Sequence, residues 1–119
     1  MLAWAGVIFV DYLGPAERLE QVREVVAREV GAAMRVPPGQ VVVRRFVTED
    51  DGRAVELWIE LSSDEQLYRL GQRIARQVSE GLRADDDGPD QVWVMYRVVP
   101  LSHAFLNGEP RGRGTPSFD

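Results

Sequence analysis

The order of hydrophobic patterns along the chain is strand, helix, strand, and then the same order again. Apolar residues recur at helical spacing over 15–34 and again from 64 to about 83, and β-prone segments flank each helix. The predicted strands are residues 4–12, 40–48, 54–61 and 91–99. Two consecutive β-α-β units allow few topologies, because a right-handed crossover makes the two strands of each unit parallel.

The two units also align with each other. A shift of 48 residues pairs the helices without a gap, so that Ala27-Arg28 meets Ala75-Arg76. Agreement of helices, strands and loop order indicates an internal duplication. We therefore predict one α+β domain over residues 1–119, with a four-stranded sheet and two helices on one face. Its parts are repeat 1 at about 4–48, repeat 2 at about 54–99, and a tail at 100–119 that we expect to be irregular.

Alternation along the strands divides the predicted sheet into two faces. An aliphatic face should carry the helices, and it collects Val7, Phe9, Val41, Val43, Val55, Leu57, Ile59, Leu61, Val92 and Val94. The other face collects Ile8, Val10, Tyr12, Val42, Arg44, Phe46, Glu56, Trp58, Glu60, Trp93, Met95 and Arg97. This second face has too much apolar area to be left in water, so we expect other copies of the chain to cover it.

Composition excludes several classes of chemistry. The chain has no Cys and no Lys, and its one histidine is His103, which excludes thiolate nucleophiles, zinc-thiolate sites and lysine Schiff bases. A net charge of −5 argues against binding to nucleic acid or to anionic membranes. No apolar run approaches the roughly 20 residues of a membrane span. We expect a cytoplasmic protein without metal or cofactor, in which the acidic loop 84–90 is a solvated connection.

Three motifs, in this order, resemble the tautomerase superfamily. The first is a Pro-containing turn that leads into a strand, Val36-Pro37-Pro38-Gly39-Gln40-Val41-Val42-Val43. The second is a helix start, Ser63-Asp64-Glu65-Gln66, and the third is an aromatic-x-x-Gly hairpin, Phe105-Leu106-Asn107-Gly108-Glu109. The resemblance covers roughly residues 4–109 and is to members with two fused units, such as 5-carboxymethyl-2-hydroxymuconate isomerase and macrophage migration inhibitory factor. It implies a homotrimer whose sheets surround a central axis.

The chain departs from that family at the residue that performs the chemistry. The family's base is an N-terminal proline, exposed by removal of the initiator methionine, whose amine has a lowered pKa. This chain begins Met1-Leu2-Ala3, and we expect bulky Leu2 to block removal of Met1. The substrate-binding arginines of 4-oxalocrotonate tautomerases do not carry over either, since those positions hold Leu13, Ser62, Val42 and Trp93.

Two functional hypotheses follow. In the first, the protein is a cofactor-free isomerase acting on a small carboxylated enol or keto acid, with Met1 or Tyr12 as acid or base and Glu56 or Glu60 as alternatives. The substrate-binding residues would be Arg44, Arg97, Trp93 and Trp58. In the second, it is a non-catalytic trimer that binds a small molecule or a protein, and the arginines form interface ion pairs. A regulatory α+β domain outside the superfamily is a third class, and His103 is predicted to be exposed.

Overall fold

A computed structural model describes residues 7–48 and 53–110 of the chain. Its main elements, in chain order, are β1 (Ile8–Leu13), α1 (Leu19–Met34), β2 (Val41–Phe46), β3 (Ala54–Leu61), α2 (Asp64–Leu82) and β4 (Gln91–Val98). These bounds agree with the predicted elements to within a few residues. Residues 4–6 of the predicted first strand and residues 49–52 between β2 and β3 lie outside the described residues.

The four strands form one mixed sheet in the order β2-β1-β3-β4. Pairing is parallel within each unit, between β1 and β2 and between β3 and β4, as a right-handed crossover requires. The two units join through the antiparallel pair β1 and β3, which are therefore the inner strands. The predicted α+β class, with tandem β-α-β units and two helices on one face, is confirmed.

The core lies between the sheet and the two helices. Every second residue of β3 is buried, and these side chains pack against apolar residues of α1 and α2 such as Val26 and Ile74. The core side chains with no exposed surface are Val10, Tyr12, Val22, Val26, Val30, Val55, Leu57, Ile59, Ile74, Val78 and Leu82. None of the described helices is long and apolar enough to cross a membrane.

The predicted faces are correct for three strands and wrong for β1. Ile8, Val10 and Tyr12 are buried on the helix side of the sheet, and Phe9 lies on the opposite side. The reason is a connection of unequal length. The spacing from the buried Val10 of β1 to Val26 of α1 is one residue longer than the spacing from the buried Ile59 of β3 to Ile74 of α2. The shift of 48 that aligns the two helices therefore pairs β1 with β3 one residue out of register. A displacement of one residue exchanges the two faces of a strand.

Side chains at the start of α2 satisfy the free backbone groups of its first turn. The Ser63 hydroxyl accepts a hydrogen bond from Gln66 N at 3.1 Å, and Gln66 Oε1 accepts one from Ser62 N at 2.9 Å. This reciprocal arrangement is a form of capping box and explains why the helix begins at Asp64. The end of α1 differs, since Arg35 follows the helix in the left-handed region with φ of 61°.

The segment after β4 is more regular than predicted. A 3-10 turn at Leu101–His103 leads into a two-stranded hairpin, β5 (Phe105–Leu106) and β6 (Glu109–Pro110). Asn107 and Gly108 connect the strands with φ values of 54° and 85°, the combination that a tight type I′ turn requires. The expectation of an irregular tail is therefore wrong for residues 101–110, whereas the hairpin that the family resemblance implies at 105–109 is present. The rest of the tail lies outside the described residues.

A hydrogen bond from β4 to α2 leads to a prediction about alkaline stability. The Tyr96 hydroxyl donates to the carbonyl oxygen of Gly71, and burial raises the pKa of Tyr96 to about 12 from an ordinary value of 10.0. Because the raised pKa belongs to the folded state, this stabilisation is complete below about pH 10 and is lost as the pH rises through about 12. We expect Tyr96→Phe to cost about 1 kcal/mol at neutral pH.

The same variant should lose less stability than the wild type between about pH 10 and pH 12, since it has no hydroxyl to ionise at this position. Urea unfolding at neutral pH and at two alkaline pH values measures both effects. Burial also raises the pKa of Tyr12, which stays in both proteins and cancels from the comparison. An identical alkaline loss in Tyr96→Phe would show that Tyr96 does not cause it.

Candidate functional site

The open face of the sheet, which is the face turned away from α1 and α2, brings charged and aromatic side chains together. Strand register places Asp11 on β1 opposite Arg44 on β2 and opposite Trp58 on β3, and it places Glu60 opposite Arg97 on β4. The residues of the open face are Phe9, Asp11, Val42, Arg44, Phe46, Glu56, Trp58, Glu60, Trp93, Met95 and Arg97. Asp11 therefore lies near the middle of the sheet, with an arginine on each edge strand.

Both arginines bind the same carboxylate. Arg44 donates from Nη2 and Nε to Asp11 Oδ1 at 2.8 Å and 3.1 Å. Arg97 places Nη2 at 2.8 Å from the other oxygen, Asp11 Oδ2. Asp11 is only 5% exposed, whereas the side chains of Arg44 and Arg97 are 47% and 44% exposed. We call these three residues the Arg-Asp-Arg cluster.

Aromatic rings support the two guanidinium groups from below. The Arg44 guanidinium lies 4.7 Å from the centre of the Phe9 ring, and that of Arg97 lies 5.3 Å from the Trp58 ring. Arg97 crosses the whole of β3 to reach Asp11, and the Trp58 ring lies under its path. Cation–π contact favours this placement of the two guanidinium groups.

The cluster has unused capacity to bind an anion. Arg44, Arg97 and Asp11 together carry a net charge of +1, and Glu56 and Glu60 bring the open face as a whole to −1. Each guanidinium carries five N–H groups, so the two arginines together have more donors than the Asp11 carboxylate can accept. Roughly half of each arginine side chain also faces solvent. A ligand carboxylate could therefore bind beside Asp11 without displacing it.

The acidic side chains of the open face have different partners. Glu56 Oε2 accepts a hydrogen bond from Trp58 Nε1 at 2.9 Å, which fixes both side chains. Glu60 makes no hydrogen bond or ion pair with the residues that the structure describes. Over 7–48 and 53–110, no three Asp, Glu or His side chains gather closely enough to hold a metal ion.

The structure brings together three of the six predicted site residues, Arg44, Arg97 and Trp58. Trp93 is on the open face and 57% exposed, but its ring lies over neither arginine, and Nε1 donates to Gln91 Oε1 at 3.3 Å. Tyr12 does not join them, since it is buried on the helix side with its hydroxyl donating to Pro15 O at 2.7 Å. Met1 lies outside the described residues. His103 is exposed, as predicted.

Asp11, the centre of the cluster, was not among the site residues predicted from the sequence. The signal was present, because an acidic residue inside an apolar strand needs a charged partner when it is buried. The reversed faces of β1 hid that partner, since they placed Asp11 on the helix side and away from Arg44 and Arg97.

Comparison with known proteins identifies the fold from structure alone. No family model and no curated protein matches the sequence. A wild-type fused 4-OT that forms an asymmetric trimer matches with a TM-score of 0.64 and 16% identity, over 87% of this chain and 96% of that one. A macrophage migration inhibitory factor-like protein from Entamoeba histolytica matches with a TM-score of 0.65 and 6% identity, over 86% and 96%.

The FG41 malonate semialdehyde decarboxylase, in a form inhibited by 3-bromopropiolate, matches over 85% of this chain and 88% of its own length. Its TM-score is 0.61 and its identity 12%. The likeness extends along nearly the whole of each chain while the sequences differ at most positions, so it concerns the arrangement of strands and helices.

Proposed function

We propose that this protein, whose fold is that of the tautomerase superfamily, is a cofactor-free isomerase that binds a small carboxylated enol or keto acid on its open face. The observation that supports the proposal is the convergence of Arg44 and Arg97 on one carboxylate between two aromatic rings. Arginine suits such a ligand, because its planar fork of N–H groups matches the two oxygens of a carboxylate.

The same guanidinium groups would act on the reaction itself. Interconversion of an enol and a keto acid moves a proton between carbon and oxygen, and negative charge develops on the oxygen in the transition state. Fixed cationic donors near that oxygen lower the barrier, since they need little reorganisation. The rings of Phe9 and Trp58 lie against the guanidinium groups and so help to hold these donors in place for a substrate.

We assign the proton transfer to Glu60, with the α-amine of Met1 as the second candidate. Among the acids of the open face, Asp11 binds both arginines and Glu56 binds Trp58. Among the described residues, Glu60 makes neither an ion pair with an arginine nor a hydrogen bond with a tryptophan. It lies opposite Arg97 in the strand register. A carboxylate without a competing hydrogen bond can accept a proton from a ligand held by the neighbouring arginine.

The proposed protein is a homotrimer. Phe46 and Trp93 on the open face, and Phe105 of the hairpin, are each about half or more exposed, which is unfavourable for an isolated chain. Other copies would cover this surface and exclude water from the Arg-Asp-Arg cluster. The fused 4-OT neighbours, which are trimers, support this assembly.

One observation favours a second candidate, a non-catalytic trimer that binds a small molecule or a protein. Asp11 already holds both arginines, so the cluster could serve as a structural ion-pair group without any substrate. The two candidates differ in whether any turnover occurs.

Steady-state kinetics with phenylenolpyruvate and 2-hydroxymuconate test the proposal. We expect conversion above the buffer rate, and we expect Arg97→Gln to lower kcat/KM by about 100-fold, equivalent to about 2.7 kcal/mol of transition-state binding. Glu60→Gln should lower kcat with little change in KM, because Glu60 moves a proton and does not anchor the carboxylate. Arg23→Gln, on the exposed surface of α1, is the matched control and should leave both constants unchanged.

A folded trimer with no rate above buffer would contradict the isomerase and leave the non-catalytic candidate. In that case, calorimetric titration with the same two acids decides whether the open face binds carboxylates. Binding that Arg97→Gln abolishes supports a small-molecule binding protein, and absence of binding supports a purely structural cluster.

A further inference from the structure

We propose a second anion site on the helix side of the protein, in the groove between the end of α1 and the start of α2. It is formed by three arginines, Arg35, Arg69 and Arg73, and fits a small organic dianion such as a phosphate monoester or a dicarboxylate. The site is on the opposite side of the sheet from the Arg-Asp-Arg cluster and is independent of the isomerase proposal.

The groove has the size and lining of a small-ligand site. Its volume is about 320 Å³, at the lower end of the range for small-molecule pockets. Ala33, Met34 and Leu70 line its apolar part, and Gln66 and the three arginines line its polar part. This division fits a ligand with one apolar end and one strongly charged end.

The three arginines have no acidic partner among the residues that the structure describes. The ion pairs found there involve other arginines, namely Arg23, Arg28, Arg44, Arg53 and Arg97. Glu65 is one helical turn before Arg69, a spacing that often gives an ion pair, yet it does not pair with it. Three unpaired guanidinium groups around one groove form a local positive field in a chain whose net charge is −5.

Two further side-chain features favour an incoming anion. Gln66 Oε1 already accepts bonds from Ser62 N and Ser62 Oγ, both at 2.9 Å, so its amide Nε2 is the group left to donate to a ligand. Arg69 and Arg73 are four residues apart on α2 and so lie on one side of the helix, where they can bind the same anion.

Arg35 occupies a backbone position that glycine would fill at lower cost. Its φ of 61° is in the left-handed region, where a residue with a Cβ atom is disfavoured by roughly 1 kcal/mol and where helices usually end with glycine. Arg35 therefore brings a guanidinium group to the groove at a conformational cost. Replacement by glycine removes the cation and the cost together, which separates ligand binding from stability.

Calorimetric titration of the full chain with phenyl phosphate and with phthalate tests the site, and the two ligands distinguish a phosphate ester from a dicarboxylate. We expect saturable binding of at least one of them with a sub-millimolar Kd, and weaker binding of inorganic phosphate, which has no apolar part. Arg69→Gln and Arg73→Gln should each weaken binding about tenfold, since each removes a charge-assisted hydrogen bond.

Arg35→Gly should weaken binding by a similar factor while raising the thermal midpoint by roughly 4 °C. The matched control is Arg76→Gln, on the same helix and with the same charge change but outside the groove, and it should leave Kd within a factor of two. Absence of saturable binding of either dianion at 10 mM overturns the proposal, as does an equal loss of affinity in Arg76→Gln, which indicates diffuse charge attraction. Loss in the three groove variants alone supports it.

Discussion

Replacing Asp11 by asparagine is expected to lower the free energy of unfolding by about 2 kcal/mol. The substitution keeps the shape of the side chain but removes the charge that Arg44 and Arg97 share, at distances of 2.8 Å. Loss of one partner from a fully buried ion pair typically costs 3–5 kcal/mol. We expect less here, because roughly half of each arginine side chain is in contact with solvent.

Urea unfolding of Asp11→Asn measures this loss, and Asp90→Asn is its control. Asp90 pairs with Arg53 at 3.1 Å, but both side chains are largely exposed, so that change should cost less than about 0.5 kcal/mol. The local charge of the cluster also rises from +1 to +2 in Asp11→Asn. Added acetate should therefore stabilise this variant more than the wild type, since anions that bind the folded state shift its stability. Equal losses in the two variants would contradict a structural role for the cluster.

Replacing Gly14 by alanine is expected to cost about 2–3 kcal/mol. A Cβ atom at this position would lie 2.6 Å from Tyr12 Cε1 and from the Tyr12 hydroxyl oxygen, closer than real atoms approach. The Tyr12 ring has no exposed surface, and its hydroxyl is bonded to Pro15 O, so it cannot move away freely. Overpacking of this kind typically costs 1–3 kcal/mol, and displacement of the hydrogen bond adds to it.

Gly39→Ala is the matched control, since a Cβ atom there meets nothing within 4 Å. We expect it to change the free energy of unfolding by less than about 0.5 kcal/mol. The double variant Tyr12→Phe with Gly14→Ala should lose less than the sum of the two single variants, because phenylalanine removes one of the atoms that alanine would meet and has no hydrogen bond to Pro15 O left to break. Additive losses would show that the Tyr12 hydroxyl does not contribute to the unfavourable contact.

Most of the fold could be predicted from the sequence, because periodicity reports local structure directly. Val55, Leu57, Ile59 and Leu61 alternate with residues that include Glu56 and Glu60, and this alternation predicts both the bounds of β3 and its buried face. The same principle failed for β1, whose residues are apolar on both faces except at Asp11. When a strand is apolar on both faces, its sequence does not show which face meets the helices. The alignment of β1 with β3 was used instead, and it assigned the wrong face.

The candidate site could be predicted only in part, for a related reason. Arg44 and Arg97 are charged residues on a face rich in aromatic side chains, and this pattern was enough to predict that they belong to one site. The two arginines converge because both bind Asp11, and this depends on how β1 is aligned with β2 and with β3. The residue pattern within a single strand does not reveal that alignment. The grouping of Arg35 with Arg69 and Arg73 was not predicted, because Arg35 follows α1 whereas Arg69 and Arg73 belong to α2, and helical spacing describes one helix at a time.

The order in which the chain leaves the ribosome gives the Arg-Asp-Arg cluster a further consequence. Asp11 and Arg44 belong to the first unit, so their ion pair can form before the second unit has been synthesised. Arg97 is near the end of β4, and the carboxylate receives its second guanidinium only when that last strand has joined the sheet. Nascent chains that stop before β4 lack Arg97, so of the two arginines only Arg44 is present to pair with Asp11.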